Sequence, residues 1–137
     1  MHFSKTTQYT IRALSFLYRY SEKSHSVNTL HKELELPYKY LTKLMTELVK
    51  KGLVNASRGR DGGFSLAKDA DEIFLLDILE AIGESIEADQ CILGFEKCDS
   101  SNPCALHNSW IKPKQMIDEM VNSTTLKSLV FNKDTKL

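Results

Sequence analysis

The stretch CILGFEKCDSSNPCALHNSW, residues 91–110, holds all three cysteines of the 137-residue chain. Cys91, Cys98 and Cys104 are followed by His107, in the spacing C-x6-C-x5-C-x2-H. Thiolates and imidazoles are soft to borderline donors that suit zinc, copper and iron–sulfur clusters. Structural zinc sites usually present their ligands in close C-x2–4-C pairs. Here the cysteine gaps are wider, and only the C-x2-H step has a zinc-like spacing. Three thiolates spread along one loop can wrap something larger than a single ion. An odd cysteine count in one loop argues against a disulfide framework and for metal or redox chemistry. On residue chemistry alone, zinc, an iron–sulfur cluster and reduced, unliganded thiols all stay open. His107 taken by itself suits a surface or capping role as well as a ligand.

The chain around this loop is that of a soluble globular protein, 42% apolar and 26% charged. Its length is one ordinary domain's worth, small enough to favour oligomerisation. No apolar run nears the roughly 20 residues that span a bilayer. The start, MHFSKTTQYTIRAL, lacks the charged, apolar and cleavable parts of a secretory signal. A cytoplasmic protein with reduced thiols and no membrane partner is expected. An enzyme with Cys104 as nucleophile and His107 as base is disfavoured, because no third group or oxyanion donor is visible. No catalysis and no small-molecule substrate are therefore expected.

The formal net charge is zero, but it conceals a division. Residues 32–60 carry seven Lys/Arg against three Asp/Glu, and residues 69–104 carry ten Asp/Glu against one Lys. Such asymmetry suggests that the basic part meets a polyanion, most simply nucleic acid. Two solvated faces of opposite sign are the bland alternative.

The basic part has an architecture that could position such contacts. A helix from Tyr9 to Tyr20 is indicated by Tyr9, Ala13, Leu14, Leu17 and Tyr20 on a helical period, with Thr6 or Thr7 as N-cap. A shorter helix follows over about Asn28–Leu34. In ELPYKYLTKLMTELVKKGL, Pro37 stands where a proline opens a helix and Gly52 where a glycine closes one. Leu41, Leu44, Met45, Leu48 and Val49 form a buried stripe, leaving Tyr38, Lys39, Thr42, Lys43, Thr46 and Lys50 toward solvent. Two helices joined by the tight turn ELELP make a helix-turn-helix, whose second helix enters the major groove.

LVNASRGRDGGFSLAK then reads as strand, turn and strand, with Asp61-Gly62-Gly63 supplying positive φ angles and Arg58 and Arg60 flanking the tip. The whole is a winged helix. Its candidate contacts to double-stranded DNA are Tyr38, Lys39, Tyr40, Thr42, Lys43, Arg58 and Arg60. Tyr38 and Tyr40 are expected to pack or to bond a phosphate rather than to read a base.

IFLLDILEAIG reads as a short buried strand leading into a helix stopped by Gly83. The cysteine stretch, with Gly94, Asn102 and Pro103, is a loop. Beyond it, Trp110, Ile117, Met120 and Val121 line a helix, with Pro113 near its first turn or kinking it, and a short turn follows from about Thr124. A helix so apolar, with little after it to cover it, is a natural dimer element; folding back on its own domain is the alternative. The expected class is mainly α with a small β-hairpin wing, plus a long C-terminal dimerisation helix. The expected division is 1–83 winged helix-turn-helix, 84–107 cysteine-rich loop, and 108–137 dimerisation helix and C-terminal turn.

The chain resembles the Rrf2 family of bacterial winged-helix regulators, and most of all its iron–sulfur branch. The resemblance is carried by GLVNASRGRDGGFSLAKDADEI, by ILEAIGESIEADQC, and by CALHNSW with NSTTLKSLV after it. It implies a homodimeric DNA-binding regulator, by family habit a repressor, in which Cys91, Cys98, Cys104 and His107 hold a cluster. The first cysteine gap is one residue longer than that family's usual one. Related nitric-oxide sensors take an aspartate from the partner's first helix as fourth ligand of a 4Fe–4S cluster. The matching residue here is Gln8, which has no carboxylate, so 2Fe–2S is favoured over 4Fe–4S. Thr42 stands where cluster-biogenesis regulators carry an acidic side chain, so their target genes do not carry over. One imidazole among thiolates makes the site less negative, whereas Glu87, Asp89, Glu96 and Asp99 disfavour an added electron. The alternatives are a zinc-bound regulator, a thiol-redox regulator without metal, and a regulator acting by binding a partner enzyme.

Overall fold

The Ser4 side chain accepts a hydrogen bond from the Thr7 amide and so opens the first helix, α1 (Lys5–Arg19). These elements come from a computed structural model that describes residues 2–84, 90–131 and 136–137. The helix starts four residues before the expected Tyr9, and its cap is Ser4 rather than Thr6 or Thr7. The early turn escaped the apolar pattern because it is buried through hydroxyls. Thr7 and Thr10 are fully buried; Thr7 donates to the Glu84 carboxylate and Thr10 to the Thr6 carbonyl.

Helix α2 (Val27–Leu34) is capped by Ser26, whose side chain accepts from the Thr29 amide. The chain then turns through Glu35, which adopts a left-handed φ of 53°. Arg12 donates to the Leu34 carbonyl at 2.8 Å, tying the end of α2 to α1. Pro37 caps α3 (Tyr38–Lys50), and Gly52, at φ +76°, closes it. Leu41, Leu44, Met45 and Leu48 are buried as their period requires, whereas Val49 is half-buried at the edge.

The hairpin of β1 (Val54–Ser57) and β2 (Gly63–Leu66) is antiparallel, with Val54 opposite Leu66 and Ser57 opposite Gly63. His25 joins it as a bridge, exchanging amide and carbonyl with Phe64 at 2.9 and 2.7 Å. The positive φ angles fall on Gly59 (107°) and Gly63 (148°), not on Asp61 or Gly62. Gly62 serves the turn in another way: a Cβ there would lie 2.5 Å from the Ser57 carbonyl oxygen.

A 3-10 turn, Ala70–Glu72, leads to α4 (Leu75–Ala81), whose first turn is closed by the Phe74 amide donating to Asp77 at 2.8 Å. The expected buried strand before it is reduced to one bridge, Phe74 to Thr125. Its partner comes from the end of the chain, not from the wing. After the cysteine loop, α5 (His107–Ser123) returns along α4, and α6 (Leu126–Phe131) packs on α1 and the 3-10 turn. The Leu75 amide donates to Thr124 and the Leu126 amide to Ile73, which fixes the junction. Leu126 and Val121 enter the same core as Leu14, Leu30, Leu41, Met45 and Ile78. The C-terminal turn is thus part of the winged-helix core rather than an appendage of the helix before it.

At 1.5 Å per residue, α5 is about 25 Å long against about 10 Å for α4. It packs on α4, buries Val121 near its C-terminal end and His107 at its start, and follows directly on the cysteine loop. Pro113 sits in the helix interior, past the first turn, where it leaves the Ser109 carbonyl without its usual amide.

Candidate metal centre and nucleic-acid interface

The loop's three cysteines are free thiols. Cys91 is buried, Cys98 and Cys104 are half-buried, and His107 is buried as the first residue of α5. The chain reaches that helix through a turn in which the His107 amide donates to the Cys104 carbonyl at 3.0 Å. This turn brings the imidazole back toward the loop, and its Nδ1 lies 3.6 Å from the Cys98 sulfur. Cys91 and Cys104 lie near enough to perturb each other's thiols. The structure therefore stands Cys98 beside His107 and leaves Cys91 near Cys104 on the same loop.

The electrostatics of Cys91 and Cys104 are divided. Burial pushes the Cys91 thiol up, but the Leu93 amide, the Cys104 thiol and the Phe95 and Gly94 amides together hold it below the ordinary value. Burial, the neighbouring Cys91 thiol and the charges of Cys91 and Cys98 push Cys104 above it. Asp99 is held below the usual carboxylate range by the Ser101 hydroxyl and amide, at 2.7 and 2.8 Å. It is thereby committed to the loop's own turn. Glu96 is exposed, while Glu87 and Asp89 lie outside the described residues.

Two polar atoms beside these ligands are buried with no hydrogen-bond partner among the described residues: His107 Nε2 and Trp110 Nε1, one helical turn apart. Orphaned buried nitrogens cost about 1–3 kcal/mol each and call for an unseen partner. Three sulfurs and one imidazole are the donors that iron–sulfur clusters and zinc both accept, so the residues fit either. Among the described residues no three His, Cys, Asp or Glu side chains close around a single-ion point.

The second candidate surface is the outer face of α3 with the wing. Tyr38, Lys39, Thr42 and Lys43 are exposed there, and Arg58 and Arg60 are exposed at the hairpin tip. Tyr38 stands edge-on to His31 at 5.9 Å, which fixes its ring at the start of the helix. The Thr42 and Thr46 hydroxyls donate back to the Tyr38 and Thr42 carbonyls. Lys50 pairs with Glu47 at 3.3 Å in solvent, which is worth little. Tyr40 is the exception in the predicted set. It is half-buried, its hydroxyl donates to Thr6, and its ring packs edge-on against Tyr9 at 5.4 Å. The sequence held a signal for this: Tyr40 lies four residues before Leu44, on the edge of the buried stripe. Sequence reading also missed His25, which carries the wing; a lone histidine between two helices has no pattern to betray it.

These features define a winged-helix protein with a thiol–imidazole loop on its C-terminal helix. The model of the Rrf2 family, described as iron-dependent transcriptional regulators, matches residues 3–132, and the chain belongs to that family. It is a DNA-binding transcriptional regulator, and its relatives are regulators rather than enzymes. A protein assigned as an HTH-type transcriptional regulator in Aquifex aeolicus (strain VF5) is 36% identical over 132 residues, covering 95% of this chain and 92% of that protein. The HTH-type transcriptional regulator IscR of Yersinia pseudotuberculosis is 39% identical over 95 residues, which is 69% of this chain and 57% of IscR. Among solved structures, CymR, the global cysteine regulator of B. subtilis, superposes with a TM-score of 0.79 at 25% identity, covering 98% of this chain and 99% of CymR. IscR of T. potens superposes at 0.75 with 24% identity, covering 98% of this chain and 89% of that one, and this likeness speaks to the fold alone. No helix among the described residues is long and apolar enough to cross a membrane.

Proposed function

We propose that this regulator works in the cytoplasm as a homodimer on double-stranded operator DNA, and that a 2Fe–2S cluster on Cys91, Cys98, Cys104 and His107 controls its occupancy. The observation that carries this reading is the approach of the Cys98 sulfur to 3.6 Å from His107 Nδ1, where the cysteine loop turns into α5. Two donor pairs suit a group with two metal atoms, each taking two protein ligands; a single zinc would need all four donors within about 3.8 Å of one another. When bound, the cluster supplies one-electron chemistry and a charge that varies with its oxidation state.

The chain's own residues supply the rest. Tyr38, Lys39, Thr42 and Lys43 on α3 meet the major groove, and Arg58 and Arg60 on the wing meet the backbone or minor groove. Tyr40 braces α3 against α1 through Thr6 and Tyr9. Ile111, Met116 and Met120 are exposed on α5 and form the surface for a second copy. In such a dimer the two recognition helices must match half-sites roughly 34 Å apart. The loop joins the winged helix to the dimer helix, so ordering it biases that spacing. About 2.7 kcal/mol of coupling changes occupancy about a hundredfold. Repression is the default expected of such an operator-binding dimer.

The test is anaerobic purification with visible spectroscopy and intact-complex mass measurement. Two irons and two sulfides per chain, with visible charge-transfer bands, are expected; a colourless protein carrying one zinc per chain sinks the cluster. A second reading, a thiol-redox regulator without metal, is favoured by the nearness of the Cys91 and Cys104 thiols, each of which perturbs the other. It predicts a colourless, metal-free protein that loses two thiols on mild oxidation and changes its DNA affinity in step.

A further inference from the structure

We propose that His107 ligates through Nδ1 and shares one iron with Cys98, leaving Cys91 and Cys104 to hold the other. This partition rests on the cluster reading above and goes beyond it by assigning ligands to individual metal atoms and by naming the ring nitrogen.

Two observations carry it. A sulfur at about 2.3 Å and a nitrogen at about 2.0–2.1 Å from one tetrahedral metal stand about 3.5 Å apart. The Cys98 sulfur and His107 Nδ1 already stand at 3.6 Å, so both can bind one metal atom with little movement of either side chain. The lone pairs of the two ring nitrogens point to opposite sides of the imidazole. A metal on Nε2 would lie across the ring from Cys98, which could not then share it. Cys91 and Cys104 are then the two donors left for the other iron.

The assignment has a consequence for the proton on the ring. With Nδ1 bound, the neutral imidazole keeps its proton on Nε2, which is buried and has no acceptor among the described residues. Ligating histidines almost always donate that second N–H. A neutral ring at His107 would bring less negative charge to a bound metal than a thiolate does.

The test uses the full chain, purified anaerobically, reduced with dithionite and labelled with histidine carrying nitrogen-15 at Nδ1 alone or at Nε2 alone. Pulsed electron paramagnetic resonance then reads which nitrogen is strongly coupled to the unpaired spin. The Nδ1 label is expected to replace the strongly coupled nitrogen, and the Nε2 label to alter only a weak, remote one. Strong coupling to Nε2 overturns the assignment and leaves the cluster intact as a finding. A protein with no cluster signal overturns both.

The partition is read from serine variants. Cys98→Ser is expected to shift or remove the strong nitrogen coupling, whereas Cys91→Ser and Cys104→Ser leave it in place. The reverse pattern overturns the pairing. An anaerobic crystal structure of the unaltered protein reads the same partition directly, should a serine variant fail to hold its cluster.

Discussion

The two ring nitrogens of His107 have different surroundings: Nδ1 faces a sulfur and Nε2 is buried with no partner among the described residues. A neutral imidazole that ligates iron leaves the site one negative charge short of an all-thiolate one. His107→Cys should therefore keep a cluster and lower its midpoint potential by on the order of 100 mV, since exchanging thiolate for histidine spans larger shifts elsewhere. A potentiometric titration followed by electron paramagnetic resonance checks this; an unchanged midpoint would place His107 off the metal. Away from the loop, Leu41 is fully buried under α3. Leu41→Ala should cost about 2–5 kcal/mol, read as an earlier midpoint in urea unfolding. Tyr40 shows the limit of reading residues singly. Its neighbours Lys39 and Thr42 face solvent, yet its hydroxyl is used by α1.

At the scale of elements, the wing is a two-stranded hairpin, marginal by itself, and the bridge between His25 and Phe64 ties it to the chain before α2, while Val54, Phe64 and Leu66 pack on the core. Gly63 makes that bridge possible. A Cβ there would fall 2.5 Å from the His25 carbonyl carbon, and the φ of +148° is strained for any side chain. Gly63→Ala should detach the wing at a cost of about 1–3 kcal/mol. Faster hydrogen exchange at the His25 and Phe64 amides, with a weaker grip on DNA, is the expected signature. If exchange at Phe64 stays as slow as in the parent, the bridge is not what holds the wing. Wing charge is a separate matter: Arg58→Ala with Arg60→Ala should weaken operator binding and make the salt slope shallower by about one to two. A slope equal to the parent's would place both arginines away from phosphate.

For the whole molecule, the decisive feature is the mismatch in length between α5 and α4. Helix α5 exposes Ile111, Met116 and Met120 along its length, with Met116 62% accessible. Paired α5 helices from two copies would cover these side chains and set two cysteine loops on one axis. Met116→Asp together with Met120→Asp should leave a folded monomer by analytical ultracentrifugation and weaken operator binding at least about tenfold, since the two half-sites would no longer be linked. A double variant that stays dimeric would move the interface elsewhere. Because α6 packs on α1 and the Thr124 carbonyl accepts from the Leu75 amide, the C-terminal end of α5 is joined to the winged helix by packed side chains and hydrogen bonds.

How much of this was legible in the residues depends on the range of the interaction concerned. The stripe Leu41–Leu44–Met45–Leu48, the Pro37 and Gly52 limits of α3, the hairpin, and the loop character of residues 90–106 follow from rules that act over a few neighbours, and they were readable. The candidate donors Cys91, Cys98, Cys104 and His107 could be named from residue types alone, because soft-donor chemistry lies in the side chains rather than in their placement. What needed the tertiary structure were contacts between distant parts of the chain. Thr7 meets Glu84 across 77 positions and starts α1 early; Phe74 finds Thr125 instead of a strand beside it; α6 returns to α1. The pairing of Cys98 with His107 belongs to this second group, since the loop's gaps permit several pairings and only the turn into α5 selects one. Local propensity determines the elements and the donors. Packing over long separations, which no short-range period encodes, decides which donors stand together.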